Sequence, residues 1–468
     1  MHKLYYQPEG YWFGDCMPFY KDDVFYLYHQ RDGRNPGPLP VCEPFGWDLA
    51  TTKDFVHFED KGEAIPTGGN EEQDQFIFAG SVYQADDHYC AMYTGFNRDY
   101  PALGKPSQVL MQAVSDDLLH WKKIDEELVL PQPGYDPDDW RDPFIFWDDE
   151  AQEYIMILGA RKLEGEQVKT GCTVYFTSKD LKEWKFKGDL WAPNLYSMHE
   201  MPDMFKMGDY WYQLITEYSH KSKTIYRMSK NVNGPWTAPI DDAFDGRAYY
   251  AARSFSDGEK RYLFGWVATK EEEDDLNNWQ WGGALVVHEV YQRADGSLGV
   301  KIPDGVNNAF ESPEKLHPDS INLSSRDGCH KITLSNHTGD LFKFETTVKF
   351  SAGTREFGLQ LFENETTGDS YQYNLSVGEN RLTFDKTPNQ PWNRFFDKGL
   401  ERPIQLEANK EYHIQLIVDD TIATLYIDGV ALNVRMYNKG GTALSVYVVE
   451  GDLQIAAESN LSKELKNQ

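Results

Sequence analysis

An apolar strand, a tight Asp- or Gly-containing turn and an aromatic-rich strand recur five times in the first two thirds of the chain. The copies are Pro18–Gln30, Gly80–Gly95, Phe144–Gly159, Asp203–Thr216 and Ser254–Trp266. Alternating apolar residues around so short a turn form a β-hairpin, because the turn chemistry matches the twist of the flanking strands. A second pattern interleaves with the first: TKDFVHF at Thr52–Phe58, SDDLLHW at Ser115–Trp121, SKDLKEW at Ser178–Trp184 and a degenerate SKNVNGPW at Ser229–Trp236. Equal steps separate its first three copies. Each reads as a Ser/Thr/Asp turn that ends in an aromatic leading the next strand. Little helical periodicity lies between them. Such a repeat predicts an all-β chain that opens with a β-propeller, and five hairpins predict five blades over residues 1–306.

Past residue 318 the repeat stops. Alternating strands follow at Leu341–Phe350, Glu356–Glu363, Ser370–Val377, Tyr412–Asp420 and Ile422–Gly429, the last ending in an Asp-Gly turn. Their spacing predicts a C-terminal β-sandwich over 321–468, joined through a linker at 307–320. A dimer contact through this domain, and hence a homo-oligomer, fits the same pattern as well as packing on the propeller does.

With 46 Lys and Arg against 75 Asp and Glu, the formal net charge is -29. That field repels phosphate backbones and anionic headgroups, so no nucleic-acid or membrane partner is expected. Aromatic residues make up 14% of the chain, too many for a disordered acidic segment and suited to stacking on sugars. The start, MHKLYYQPEG, has no apolar core of a signal peptide,. Cys16, Cys42, Cys90, Cys172 and Cys329 show no CxxC pairing. They read as reduced thiols of a cytoplasmic protein. No metal-ligand cluster or nucleotide-binding glycine pattern stands out, so neither metal nor cofactor is expected. The acidic run Lys270–Asp275 reads as a solvated loop, with a subsite wall or dimer contact as its other uses.

Registering the hairpins on the aromatic before each turn (Tyr20, Tyr83, Phe146, Phe205, Phe255) aligns Asp15, Phe78, Arg141, Glu200 and Tyr250 five residues earlier. In a propeller the same end of each innermost strand faces the central channel. Asp15, Glu200 and Asp142, which follows Arg141, therefore converge on one rim with a guanidinium. Two carboxylates flanking a cleft can divide the work of glycoside hydrolysis: one attacks or activates water, the other protonates the leaving oxygen.

The blocks Tyr11–Tyr20, Phe45–Asp60, Phe76–Tyr83, Trp140–Phe146 and His199–Phe205 occur in order and resemble the signature blocks of glycoside hydrolase family 32, the β-fructosidases. Ile417–Gly429 and Ala431–Tyr437 resemble its sandwich. The resemblance implies a five-bladed propeller with a β-sandwich and a small fructoside or oligosaccharide as substrate. It implies Asp15 as nucleophile, Glu200 as general acid and then base, and Asp142 as transition-state stabiliser beside Arg141. Gln30, Trp47, Phe78 and Ser81 match positions that line the fructose pocket. Tyr250 and Trp266 are further substrate-binding candidates, or blade-packing aromatics. His29 and His199 flank candidates and read either as pocket groups or as satisfied structural histidines. Three departures stand out. Gly14-Asp15-Cys16-Met17-Pro18 replaces the usual Asn-Asp-Pro-Asn-Gly, Met201 replaces a Cys after the acid, and Asp48 replaces a His.

Two other readings use the same three carboxylates. One is an inverting five-bladed glycosidase of the α-L-arabinofuranosidase or β-xylosidase type. The other, motivated by the altered nucleophile block, is a catalytically silent sugar-binding protein.

Overall fold

The computed structural model describes residues 2–466 except 40, 86, 165–168, 219–220, 365, 390–391, 393 and 397, and at 125–128 the backbone alone. Strand β1 (Trp12–Lys21) returns through Asp22 and Asp23 into β2 (Val24–Asp32). Both turn residues have positive φ, as the hairpin turn that matches strand twist requires,. Strands β3 (Trp47–Thr52) and β4 (Phe58–Ile65) extend this sheet outward, each antiparallel to the one before. The same meander recurs in β5 (Phe76–Gln84), β6 (Tyr89–Phe96), β7 (Gln108–Ser115) and β8 (Lys122–Val129), then in β9 (Tyr135–Asp148), β10 (Glu153–Lys162), β11 (Gly171–Ser178) and β12 (Lys185–Trp191). It continues in β13 (His199–Met207), β14 (Tyr210–Glu217) and β15 (Thr224–Ser229), and in β16 (Tyr249–Ser256), β17 (Arg261–Lys270), β18 (Trp279–Gln292) and β19 (Leu298–Lys301). Each of the five hairpins read from the sequence opens one of these runs, with residue 86 of the second turn outside the described residues. Strand β1 also pairs with β18, Phe13 opposite Gly283, so the first and last runs share one sheet. Among the described residues the α-helical content is the single short segment Asp304–Asn308.

The interleaved turn motif has one local design. Thr52, Ser115 and Ser178 accept backbone N–H bonds through their side-chain oxygens, and Asp54, Asp117 and Asp180 two residues on do the same. These bonds hold Phe55, Leu118 and Leu181 at φ near 60°, a left-handed conformation that non-glycine residues adopt only when the surroundings impose it,. The reward is burial: Phe55 packs on Phe25 and Tyr262, and the Leu118 carbonyl accepts the Tyr28 hydroxyl.

The C-terminal strands are antiparallel and centre on Ala443–Ile455, which pairs with Ile321–Ser335, Leu341–Phe350 and Glu356–Glu363. Phe342, Phe344, Val348, Tyr412, Ile414 and Leu416 are buried between them. Of the stretch before these strands, Phe310–Glu311 pairs with Glu464–Leu465, and Glu314–Lys315 with Asn460–Ser462. All five cysteines are free; four are buried and Cys329 is exposed.

Buried carboxylates fasten the two halves. Asp419 accepts the backbone N–H groups of Lys3, Leu4 and Tyr5. Asp275 corrects the expectation of a solvated loop. Glu271–Glu273 is exposed, but Asp275 is fully buried and takes bonds from the Tyr371 hydroxyl, the Lys386 ammonium and the Tyr437 and Asn438 amides. Asp245 accepts from the Asn433 backbone and side-chain amides at 2.7 and 2.6 Å and contacts the His288 ring at 3.0 Å. Burial alone would raise its carboxyl, but His288, Arg402 and Asn433 outweigh burial and hold it below the usual carboxylate value,. A carboxyl with a depressed folded-state pKa contributes stability that is present above its unfolded value, near pH 4, and lost as pH falls through the folded one. Asp245→Ala is therefore expected to cost about 3 kcal/mol at pH 7. Its deficit against the parent should shrink in denaturant melts taken at pH 3. A deficit independent of pH would contradict the latch.

Candidate active site

All five first strands bulge where the register places a candidate. The pairing skips between Phe13 and Cys16 in β1, Phe78 and Gly80 in β5, Arg141 and Phe144 in β9, Glu200 and Asp203 in β13, and Tyr250 and Arg253 in β16. A bulge sets two residues against one, sharpens the twist and re-aims side chains. Pro143 and Pro202 fall within two of these bulges, where no ladder N–H is required. Asp142, Met201 and Ala251 each follow the registered residue and share positive φ, at 61°, 48° and 54°. The bulge thus recurs in all five first strands, and the positive φ in three of them.

The carboxylates meet there. Arg141 donates to Glu200 Oε1 from Nε at 3.2 Å and from its terminal nitrogen at 2.5 Å, and to Asp139 at 2.7 Å. The Tyr250 hydroxyl donates to Glu200 Oε2 at 2.7 Å. Asp15 accepts the Trp266 indole N–H at 3.0 Å. Asp142 is buried and accepts the Met201 N–H at 2.9 Å. Burial, then the charges of Asp142 and Glu200, hold the Asp15 carboxyl well above the usual range, with the Trp266 bond a partial offset. Burial and Glu200 also raise Asp142, against Arg141 and Arg253. Burial and the Glu200 charge push the Tyr250 phenol up, so it stays a donor. The protonation of Asp15 and of Asp142 is therefore linked,. Linked carboxyls can carry one proton and one anionic oxygen at the same time, as acid–base and nucleophilic chemistry both require.

The other candidates divide. Phe78 and Tyr250 are half-buried, and Phe78 stacks on Phe96 and Phe45. Trp266 is almost fully covered but reaches Asp15. Gln30, Trp47 and Ser81 are buried: Gln30 donates to the Ile77 carbonyl, Trp47 to the Phe78 carbonyl, and Ser81 accepts the Ile145 N–H. Asp48 pairs with Arg31. His199 bonds Thr173, and burial takes its pKa down to about 3; buried His29 is lowered too. The Nε2 of each is buried without a hydrogen-bond partner among the described residues.

Two residues escaped the sequence reading. Arg253, 1% exposed, donates to the carbonyls of Gly80, Asp142 and Pro202 on three different first strands while itself belonging to a fourth. Trp281, from β18, lies against Gly14. Arg253 had a signal: it stands two residues before Phe255, where the other strands carry Pro18, Ser81, Phe144 and Asp203. Trp281 had none.

Residues 5–295 match the model of the glycosyl hydrolases family 32 N-terminal domain. The levanase of Bacillus subtilis (strain 168) is 23% identical over 97% of this chain and 69% of its own length. Among solved structures, sucrose-6-phosphate hydrolase from Lactobacillus gasseri superimposes with a TM-score of 0.74 at 20% identity, covering 97% of this chain and 93% of that one. Fructan 1-exohydrolase IIa from Cichorium intybus gives 0.77 at 15% identity, covering 100% and 97%.

Proposed function

This chain belongs to glycosyl hydrolase family 32, and on that premise we propose that it hydrolyses terminal β-D-fructofuranosides with retention of configuration. The observation that carries this reading is that Asp15 and Asp142 each feel the charge of Glu200, and Asp15 that of Asp142, while Arg141 and Tyr250 hold Glu200 and Trp266 holds Asp15. Asp15 gives up the proton that its surroundings favour to Glu200, then attacks the anomeric carbon as the carboxylate, aligned by the Trp266 N–H, and forms a fructosyl ester. Glu200 donates its proton to the leaving oxygen, then takes one from the water that cleaves the ester. Arg141 and Tyr250 each hold one Glu200 oxygen, so the carboxyl cannot rotate away between the two steps. Asp142 binds sugar hydroxyls and stabilises positive charge at the ring as the bond breaks.

The same reading takes the fold as a five-bladed propeller over 1–306, a linker at 307–320 and a β-sandwich over 321–468. Its support is that each of five hairpins opens its own antiparallel run. Sucrose and short fructo-oligosaccharides are the substrates to test first, since the similar proteins carry the names levanase, sucrose-6-phosphate hydrolase and fructan exohydrolase.

Proton NMR of the first product, taken before mutarotation, tests the mechanism. β-Fructofuranose is the expected initial anomer. Initial inversion would overturn the ester, since an inverting site must leave about 6.5–9.5 Å between carboxyls for water. Sugar binding without fructose release from any fructoside would leave only a binding protein.

A further inference from the structure

The residue before the attacking carboxylate has no side chain, and a tryptophan from the far end of the ring fills its place. A Cβ on Gly14 would lie 2.0 Å from Trp281 Cη2 and within 2.9 Å of two more indole carbons. Such distances are impossible for real atoms, so a side chain at residue 14 and the indole in this position exclude each other. The indole is firmly held. The Trp281 backbone carbonyl accepts an Arg34 N–H at 3.1 Å, and Arg34 also bonds Thr269 and lies 3.7 Å over the Trp12 ring, which anchors the strand that carries the indole. The next residue, Gly282, has φ 85°, and a Cβ there would crowd Trp12 at 2.9 Å. The ring meets Trp266, the partner of Asp15, edge-on at 5.3 Å and stacks on Phe45 at 6.2 Å. Phe45 continues to Phe78 and Phe96. The result is an aromatic arc that runs from β6 to β17 and passes directly beside Asp15. Trp281 is half-buried, so part of its surface is left for a ligand.

We propose that Trp281 is a substrate-binding residue that packs a C–H face of the terminal sugar against its indole, where residue 14 offers no hydrogen-bonding side chain. Sugar C–H bonds carry partial positive charge and suit the negative face of an aromatic ring. An apolar wall discriminates weakly between sugars that differ by a hydroxyl, whereas a polar side chain would discriminate strongly. The ring is thus read here by shape, and its hydroxyls are read elsewhere, near Asp142 and Arg141. This inference rests on the fructosidase reading of the same pocket.

Steady-state kinetics of the full chain on sucrose and 1-kestose test it, with a melt for each variant. Trp281→Ala is expected to raise KM at least 10-fold with kcat within about threefold. Trp281→Phe should bring KM back to within about threefold of the parent. Gly14→Ala should raise KM at least 10-fold in the parent yet less than twofold in the Trp281→Ala background, because the clash is then gone. If Trp281→Ala does not fold, the same cycle with Trp281→Phe decides. KM within twofold of the parent for Trp281→Ala, or an equal Gly14→Ala effect in both backgrounds, overturns the inference alone. A parent chain that releases no fructose from either sugar overturns the fructosidase reading and this inference with it.

Discussion

Asp15→Ala is expected to lower kcat by about 10⁴-fold or more, with Glu200→Ala close behind on natural substrates. The two losses have different origins, and one substrate separates them. Without Asp15 no ester forms, whatever the leaving group. Without Glu200 the ester still forms if the leaving group departs without a proton, as a nitrophenolate does. Hydrolysis of that ester then stalls, because no base activates water. On a nitrophenyl fructoside, Glu200→Ala should release a burst of about one nitrophenolate per enzyme and then slow; Asp15→Ala should give no burst. Neither change should unfold the chain, since both side chains are partly exposed at the rim. Activity within tenfold of the parent for either variant would remove that residue from its role. A burst from Asp15→Ala would mean that another group attacks.

Arg253→Met is expected to be the most destabilising single substitution near the site. Its guanidinium satisfies carbonyls on three first strands and is buried, so its removal takes a donor from three acceptors and one positive charge from the surroundings of Asp142, Asp203 and Asp15. Removing one partner from such a buried arrangement costs about 3–5 kcal/mol. The carbonyl of Asp142 is one of the three, so its peptide should shift and kcat/KM should fall about 10²-fold even where the protein stays folded. Arg253→Lys keeps the charge but lacks the planar fork, and should recover only part of each loss. Denaturant midpoints and kinetics on both variants check this. Parent-like stability in Arg253→Met would mean that the strands hold their positions without it.

The hairpins were legible because turn chemistry is local: Asp22-Asp23 specifies its own reversal whatever surrounds it. Asp15, Arg141, Glu200 and Tyr250 were legible together because repetition carries register, and equal register means equal position on the ring. The bulges were not, although they aim the side chains. Nothing in Asp142-Pro143 or Met201-Pro202 taken singly announces a left-handed residue. Trp47, Gln30 and Ser81 match pocket positions by sequence, and each also makes one bond to the backbone of a neighbouring strand that no sequence pattern announces. Asp275 looked like one more surface charge in an acidic run until its partners arrived from Tyr371, Lys386, Tyr437 and Asn438. Long-range pairing is the information a strand pattern lacks. The contact between Gly14 and Trp281 depends on it entirely.

The pairing of β1 with β18 also has a consequence for how the protein comes into being. The strand that bears Asp15 is among the first made, but Gly283, which it pairs with, and Trp266, which aligns its carboxylate, leave the ribosome some 250 residues later. Until then β1 has an unmatched edge and Asp15 has no orienting donor. Contacts of such sequence separation form slowly, because loop closure must precede them. An interrupted chain therefore cannot be a weak enzyme: it has three carboxylates and no assembled pocket. Turnover would report that synthesis has run past β18 and that its pairing with β1 has formed.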